Sequence, residues 1–120
     1  MKVAVASKEY NLDSEVNPIF GRSSAFIIAD VEEGNIKNIS IIENPAKNET
    51  GAGNTAANFI VNQKVDILIS GTFGPVAFHI LKNAGITVYK ITSGSVEKHL
   101  KRFIANKLEE VTTLSGGFPV

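Results

Sequence analysis

The chain has no cysteine among its 120 residues. Thiolates hold most protein-bound iron–sulfur clusters and structural zinc ions, so the strongest ligand for either is missing, and disulfides are excluded with it. Excess charge is missing too. Lys plus Arg and Asp plus Glu both number 12, for a formal net charge of zero, which gives no global basic footprint for nucleic acid. No apolar run approaches the ~20 residues that span a bilayer. The opening residues 1–9 carry too short an apolar run, followed by charge, to act as a secretory signal. Internal repeats and low-complexity segments are absent. These absences predict a soluble cytoplasmic protein with neither membrane nor nucleic-acid partners. At this length it is one domain, able to bury roughly two thirds of its unfolded surface.

Signatures of catalysis are equally scarce. A two-metal nuclease needs a carboxylate in the centre of its first strand, but the first strand reads Val3-Ala4-Val5-Ala6. No G-x-S-x-G elbow occurs, and no Gly-Lys-Ser/Thr phosphate loop. His79 and His99 lack a second ligand three or four residues away and read as surface residues. No catalytic residue and no metal ligand is assigned.

What the sequence does contain is alternation. Val3–Ala6 is a buried strand, and 7–20 a polar loop. Ala25–Val31 and Ile36–Ile42 are β-rich runs around Gly34-Asn35, either of which can supply a positive φ, and they read as an antiparallel hairpin. Ile36, Asn38, Ser40 and Ile42 then share one face, with Lys37, Ile39 and Ile41 on the other. Helices follow at 52–63 (stripe Ala56, Ala57, Ile60, Val61), at 75–84 (Val76, Ala77, Ile80, Leu81, Ala84) and after Ser95 (Val96, Leu100, Phe103, Ile104), with strands at 65–69 and 86–91 between them. This order predicts an α/β fold: a mixed five-stranded sheet with one antiparallel strand and helices on both faces. Residues 1–108 form the domain, and a flexible tail is expected at 109–120.

Three glycine loops are the candidate functional features: Phe20-Gly21-Arg22-Ser23, Gly51-Ala52-Gly53-Asn54 and Gly71-Thr72-Phe73-Gly74. In an open α/β sheet, loops at strand ends can cluster where ligands bind. Helix-start loops present backbone N–H groups to anions. Gly51-Ala52-Gly53 with Ala56-Ala57 partly mimics a dinucleotide fingerprint, although a polar loop separates it from the preceding strand. The glycines equally permit tight helix starts and close packing. Arg22 suits an anionic ligand or a surface ion pair.

Several features taken in order resemble a known family. They are Phe20-Gly21-Arg22-Ser23, Phe26–Asp30, Glu43-Asn44-Pro45, Gly51-Ala52-Gly53 with Ala56-Ala57, Val65-Asp66, Gly71 with Gly74-Pro75-Ala77, and Gly85-Ile86 with Val88-Tyr89. Their succession resembles the dinitrogenase iron–molybdenum cofactor biosynthesis family, of the NifX and NifB C-terminal type, over nearly the whole chain. The resemblance implies a three-layer α/β/α sandwich with a ribonuclease-H-like motif. It also implies a non-catalytic carrier of an iron–sulfur or iron–molybdenum-type cluster, and a protein partner in cofactor assembly. The cofactor-binding residues expected on this basis are Phe20, Gly21, Arg22, Ser23, Gly51, Ala52, Gly53, Asn54, Gly71, Thr72 and Gly74. The family commonly has histidine just before Phe-Gly-Arg, and this chain has Ile19 there. A cluster would then be held through its own anionic groups. The alternative is a small-anion-binding or protein-interaction module that has lost cluster binding.

Overall fold

The computed structural model describes residues 1–112. Five strands form one sheet: β1 (Lys2–Ser7), β2 (Ala25–Glu32), β3 (Asn35–Glu43), β4 (Ile67–Ser70) and β5 (Thr87–Lys90), in the order β3-β2-β1-β4-β5. β1, β4 and β5 are mutually parallel, and β2 runs antiparallel to both its neighbours. Helices α1 (Ala52–Asn62) and α2 (Pro75–Asn83) pack on one face and α3 (Val96–Ile104) on the other. This is the mixed five-stranded sheet with helices on both faces that the alternation of elements predicts, and the three-layer arrangement that the family resemblance implies.

Both faces of the central strand are covered, which is why β1 reads as an unbroken apolar run instead of alternating with polar residues. Ala4 and Ala6 join Ala56, Ala57, Ile60, Ala77 and Leu81 in one core, while Val3 and Val5 join Val96 and Leu100 in the other. Small alanines face the side with two helices, so α1 and α2 can both approach the sheet.

The hairpin turn uses Glu33 (φ 52°) and Gly34 (φ 78°) as its positive-φ pair, and Asn35 already belongs to β3. Two consecutive positive φ angles match the right-handed twist of a two-residue hairpin. The alternation predicted for β3 does not hold. Ile36 packs on the α3-side core and Ile42 on the α1/α2-side core. Asn38 has φ 51°, and the pairing with β2 slips between Ile28 and Asp30. A single bulged residue exchanges the two faces beyond it. Ile39 and Ile41 are left exposed on this edge strand.

Three predicted stripe residues also stand outside the core, among them Ile104 at the end of α3, which is half-buried but in neither core. Val76 lies in the first turn of α2 and is exposed, and Ala84 caps the end of that helix at the surface. Of the tail expected at 109–120, residues 109–111 run along β5. The Lys90 amide donates to Glu109 O (2.8 Å) and the Val111 amide to Val88 O (2.8 Å), and Val111 is buried. Residues 113–120 lie outside the described residues.

Candidate functional site

The polar segment after β1 returns through residues 18–20 alongside the loop that follows β4. The Phe20 amide donates to Thr72 O (3.0 Å) and the Thr72 amide to Pro18 O (2.7 Å), a short parallel bridge. Residues Phe20–Arg22 then make one 3-10 turn, which lies against the start of α1. Gly21 makes this approach possible, because a Cβ there would sit 2.6 Å from Gly53 N and 2.8 Å from the Ala52 carbonyl carbon. At Gly71 a Cβ would run into the Pro18 carbonyl, 2.6 Å from its carbon. These two glycines are required for backbone contact, one of the two roles open to them from the sequence.

The result is a cleft of about 250 Å³ lined by all three glycine loops. Of the predicted site residues, Gly21, Arg22, Ala52, Gly53, Thr72 and Gly74 line it, and Ile19 and Phe73 complete its wall. Phe20 lies behind the cleft, fully buried. Its ring packs 5.4 Å from Phe26 and 6.0 Å from Phe73, which in turn stacks on Phe78 at 5.7 Å. Ser23 is also buried, its hydroxyl donating to Ile19 O (3.3 Å). Gly51 and Asn54 flank the cleft at the helix start. Gly51 takes the left-handed cap conformation (φ 71°), and its carbonyl accepts from the Asn54 amide (3.1 Å). Gly71 faces a neighbouring hollow.

The charge around this cleft has one sign. Arg22 is exposed, and one of its five N–H donors goes to Lys47 O (2.9 Å). No carboxylate lines the cleft. Both α1 and α2 begin at it, with no acidic residue in either first turn and no side-chain cap. Their uncapped N-termini add partial positive charge. The nearby Lys47 ammonium is already engaged. It donates to the Tyr10 hydroxyl (3.1 Å) and pairs with Glu43 (3.2 Å), and these two contacts, Tyr10 first, raise its pKa.

One residue that positions the site was missed in the sequence. Asn44 is buried, and its side-chain NH₂ donates to Gly21 O and Ser23 O, both at 3.0 Å, while its Oδ1 accepts from the Ala46 amide (3.0 Å). It clamps the turn that carries Arg22. The signal available was an Asn-Pro pair at a strand end, where asparagine bonds local backbone.

His99 is a correction. It is fully buried, where the sequence suggested a surface position. Nε2 accepts from the Thr92 amide (2.9 Å), so the proton sits on Nδ1, which donates to Ser95 O (2.8 Å). The ring thereby pins the loop entering α3. Burial lowers its pKa and the nearby Arg102 charge lowers it further, against the Ser95 carbonyl, which favours the protonated ring. His79 is exposed, as expected. Among the described residues no cluster of three or more His, Cys, Asp or Glu side chains could hold a metal ion, and no helix is long and apolar enough to cross a membrane.

Comparison with known proteins agrees with this architecture. Residues 1–106 match the family described as dinitrogenase iron-molybdenum cofactor. An uncharacterized protein of Methanocaldococcus jannaschii is 40% identical over 99 residues, covering 82% of this chain and 84% of its own length. The solution structure of a candidate NifB protein from Thermotoga superposes with a TM-score of 0.82 at 34% identity, covering 97% of both chains. The apo form of the orange protein from Desulfovibrio gigas also gives a TM-score of 0.82, at 28% identity over 92% of each chain.

Proposed function

The chain belongs to the dinitrogenase iron–molybdenum cofactor family, and we propose that it is a non-catalytic carrier whose Arg22 cleft takes an anionic iron–sulfur or iron–molybdenum-type cluster, or a precursor of one, as cargo. One observation carries this reading: three glycine loops from distant parts of the chain meet at one cleft, with Arg22 as its one charged side chain and two helix starts beside it. The lining has no thiolate, imidazole or carboxylate, so it fits a cluster that brings its own anionic groups and is held by them. Ile19, about half exposed on the rim, offers apolar contact where a ligand atom would otherwise stand. A carrier also requires a protein partner that loads or receives the cargo.

The test is an anaerobic titration of the full chain with an iron–sulfur cluster and with iron–molybdenum cofactor, followed by absorbance and gel filtration. Stoichiometric co-elution of iron and sulfide is expected. Arg22→Ala removes charge-assisted hydrogen bonds, for an affinity loss on the order of 10- to 100-fold. Absence of co-elution overturns the carrier reading.

Ile19 favours a second reading, a small-anion or protein-interaction module that has lost cluster binding. If co-elution appears only in Ile19→His, that second reading holds.

A further inference from the structure

Thr72 lines two depressions. Beyond the Arg22 cleft lies a hollow of about 220 Å³ at the carboxyl ends of β4 and β5. Ser70 ends β4, Lys90 ends β5, and the two are register partners on adjacent parallel strands. Partnered residues leave a sheet on the same face. Leu68 and Val88, two residues earlier on each strand, both belong to the α1/α2-side core and identify that face. Both Ser70 and Lys90 line the hollow, together with Pro18, Ile91 and Val111.

Ser70 is 1% exposed, and among the described residues its hydroxyl is the one buried side-chain polar atom without a hydrogen-bond partner. A buried orphan of this kind is costly and calls for an acceptor or donor that the protein itself does not supply. A lone water is a poor answer here. The hollow is several times the ~30 Å³ share of one water, so a single water on the Ser70 hydroxyl would leave most of it unfilled. Lys90 gives the hollow a positive charge, and no acidic side chain lines it.

We propose that this hollow is a second ligand site, taking a small organic anion whose carboxylate or phosphate group meets the Ser70 hydroxyl and the Lys90 ammonium and whose apolar body rests on Pro18, Ile91 and Val111. A mostly apolar concavity with a few convergent polar groups is the usual form of a small-molecule site. Open α/β sheets place such sites outside the carboxyl ends of their strands. The site uses no residue of the Arg22 cleft except Thr72, so it stands or falls separately from the carrier function.

The experiment is an amide NMR titration of the isotope-labelled full chain with inorganic phosphate and, separately, with isobutyrate. Saturable shifts centred on Gly71, Thr72 and Ile91 are expected with at least one probe. Binding by phosphate alone assigns the phosphate class, and binding by isobutyrate alone assigns the carboxylate class. Ser70→Ala and Lys90→Gln should each weaken that binding roughly tenfold or more, the loss of one hydrogen bond to a charged group. Arg22→Ala should leave it within about twofold, since its charge lies in the other cleft. Ser70→Ala deletes only the orphan oxygen, so a melting temperature equal to or above that of the parent confirms that the variant reports on binding. Three results overturn the proposal: no saturable shift with either probe, shifts unchanged in both Ser70→Ala and Lys90→Gln, or shifts centred on Gly21 and Gly53 that vanish in Arg22→Ala. The last would place the anion in the Arg22 cleft and leave the carrier reading intact.

Discussion

Replacing Gly71 by alanine should damage this protein far more than replacing Gly74, three residues away in the same loop. A methyl group at Gly71 collides with the Pro18 carbonyl, which is backbone and cannot swing aside as a side chain would. The 2.6 Å separation from the Pro18 carbon must open by about 0.8 Å to reach an ordinary ~3.4 Å contact. That displacement stretches the Thr72 N–H to Pro18 O hydrogen bond, now 2.7 Å, past its useful range. Overpacking strain of about 1–3 kcal/mol and a lost hydrogen bond of about 1 kcal/mol give a destabilisation of roughly 2–4 kcal/mol. Gly74 has nothing within 4 Å of its notional Cβ and an ordinary φ of −82°. There the stiffer unfolded chain and the slightly poorer helix cap of alanine nearly cancel, for a change within about 0.5 kcal/mol. Urea unfolding of the two variants beside the parent measures both. Equal stabilities for Gly71→Ala and Gly74→Ala would refute the close-approach argument and return Gly71 to the role of a flexible loop glycine.

Asn44→Ala leaves Gly21 O, Ser23 O and the Ala46 amide without their partner and should cost about 2–3 kcal/mol in denaturant unfolding, with ligand affinity falling as the Arg22 turn loosens. His99 carries a depressed pKa in the folded protein, so the unfolded chain binds the extra proton first. Its contribution is intact above the unfolded value of about 6.5 and is lost as pH falls from there through the lower folded value. The slope of stability against pH in that window should flatten in His99→Gln, read from melts across the acidic range. Lys64 holds an exposed left-handed conformation (φ 58°) just past α1, where glycine is at ease. Lys64→Gly should raise stability by about 0.5–1 kcal/mol in the same unfolding assay.

The elements that were legible in the sequence are those set by local pattern. Val3–Ala6 could only be a strand covered on both faces, and Ala56, Ala57 and Ile60 could only be a helix stripe. The meeting of three glycine loops followed from their positions at strand ends and helix starts. What stayed hidden depends on partners remote in sequence. The bulge at Asn38 is fixed by register with β2, so period-two counting put Ile36 and Ile42 on one face. His99 has no second ligand at helical spacing and falls near the side of α3 read as exposed, yet the Thr92 amide and Ser95 carbonyl satisfy both ring nitrogens. The need for glycine at 21 comes from residues 52–53, and at 71 from residue 18. No local rule connects those positions.

The bridge between Pro18–Phe20 and Thr72 also bears on how the molecule comes into being. It joins segments more than fifty residues apart, and the cleft needs residues 19–22, 52–53 and 72–74 at once. Such a contact closes late, after β4 has docked beside β1, because the loop entropy between the segments must first be overcome. During synthesis, a chain that has not yet reached Gly74 has no cleft to offer, and neither does a folded molecule in which any one of the three loops has transiently opened. A formed cleft therefore reports that β4 and all three loops are in place. Amides of the Thr72 bridge should therefore exchange with solvent faster than those of the central strand, which is paired on both sides.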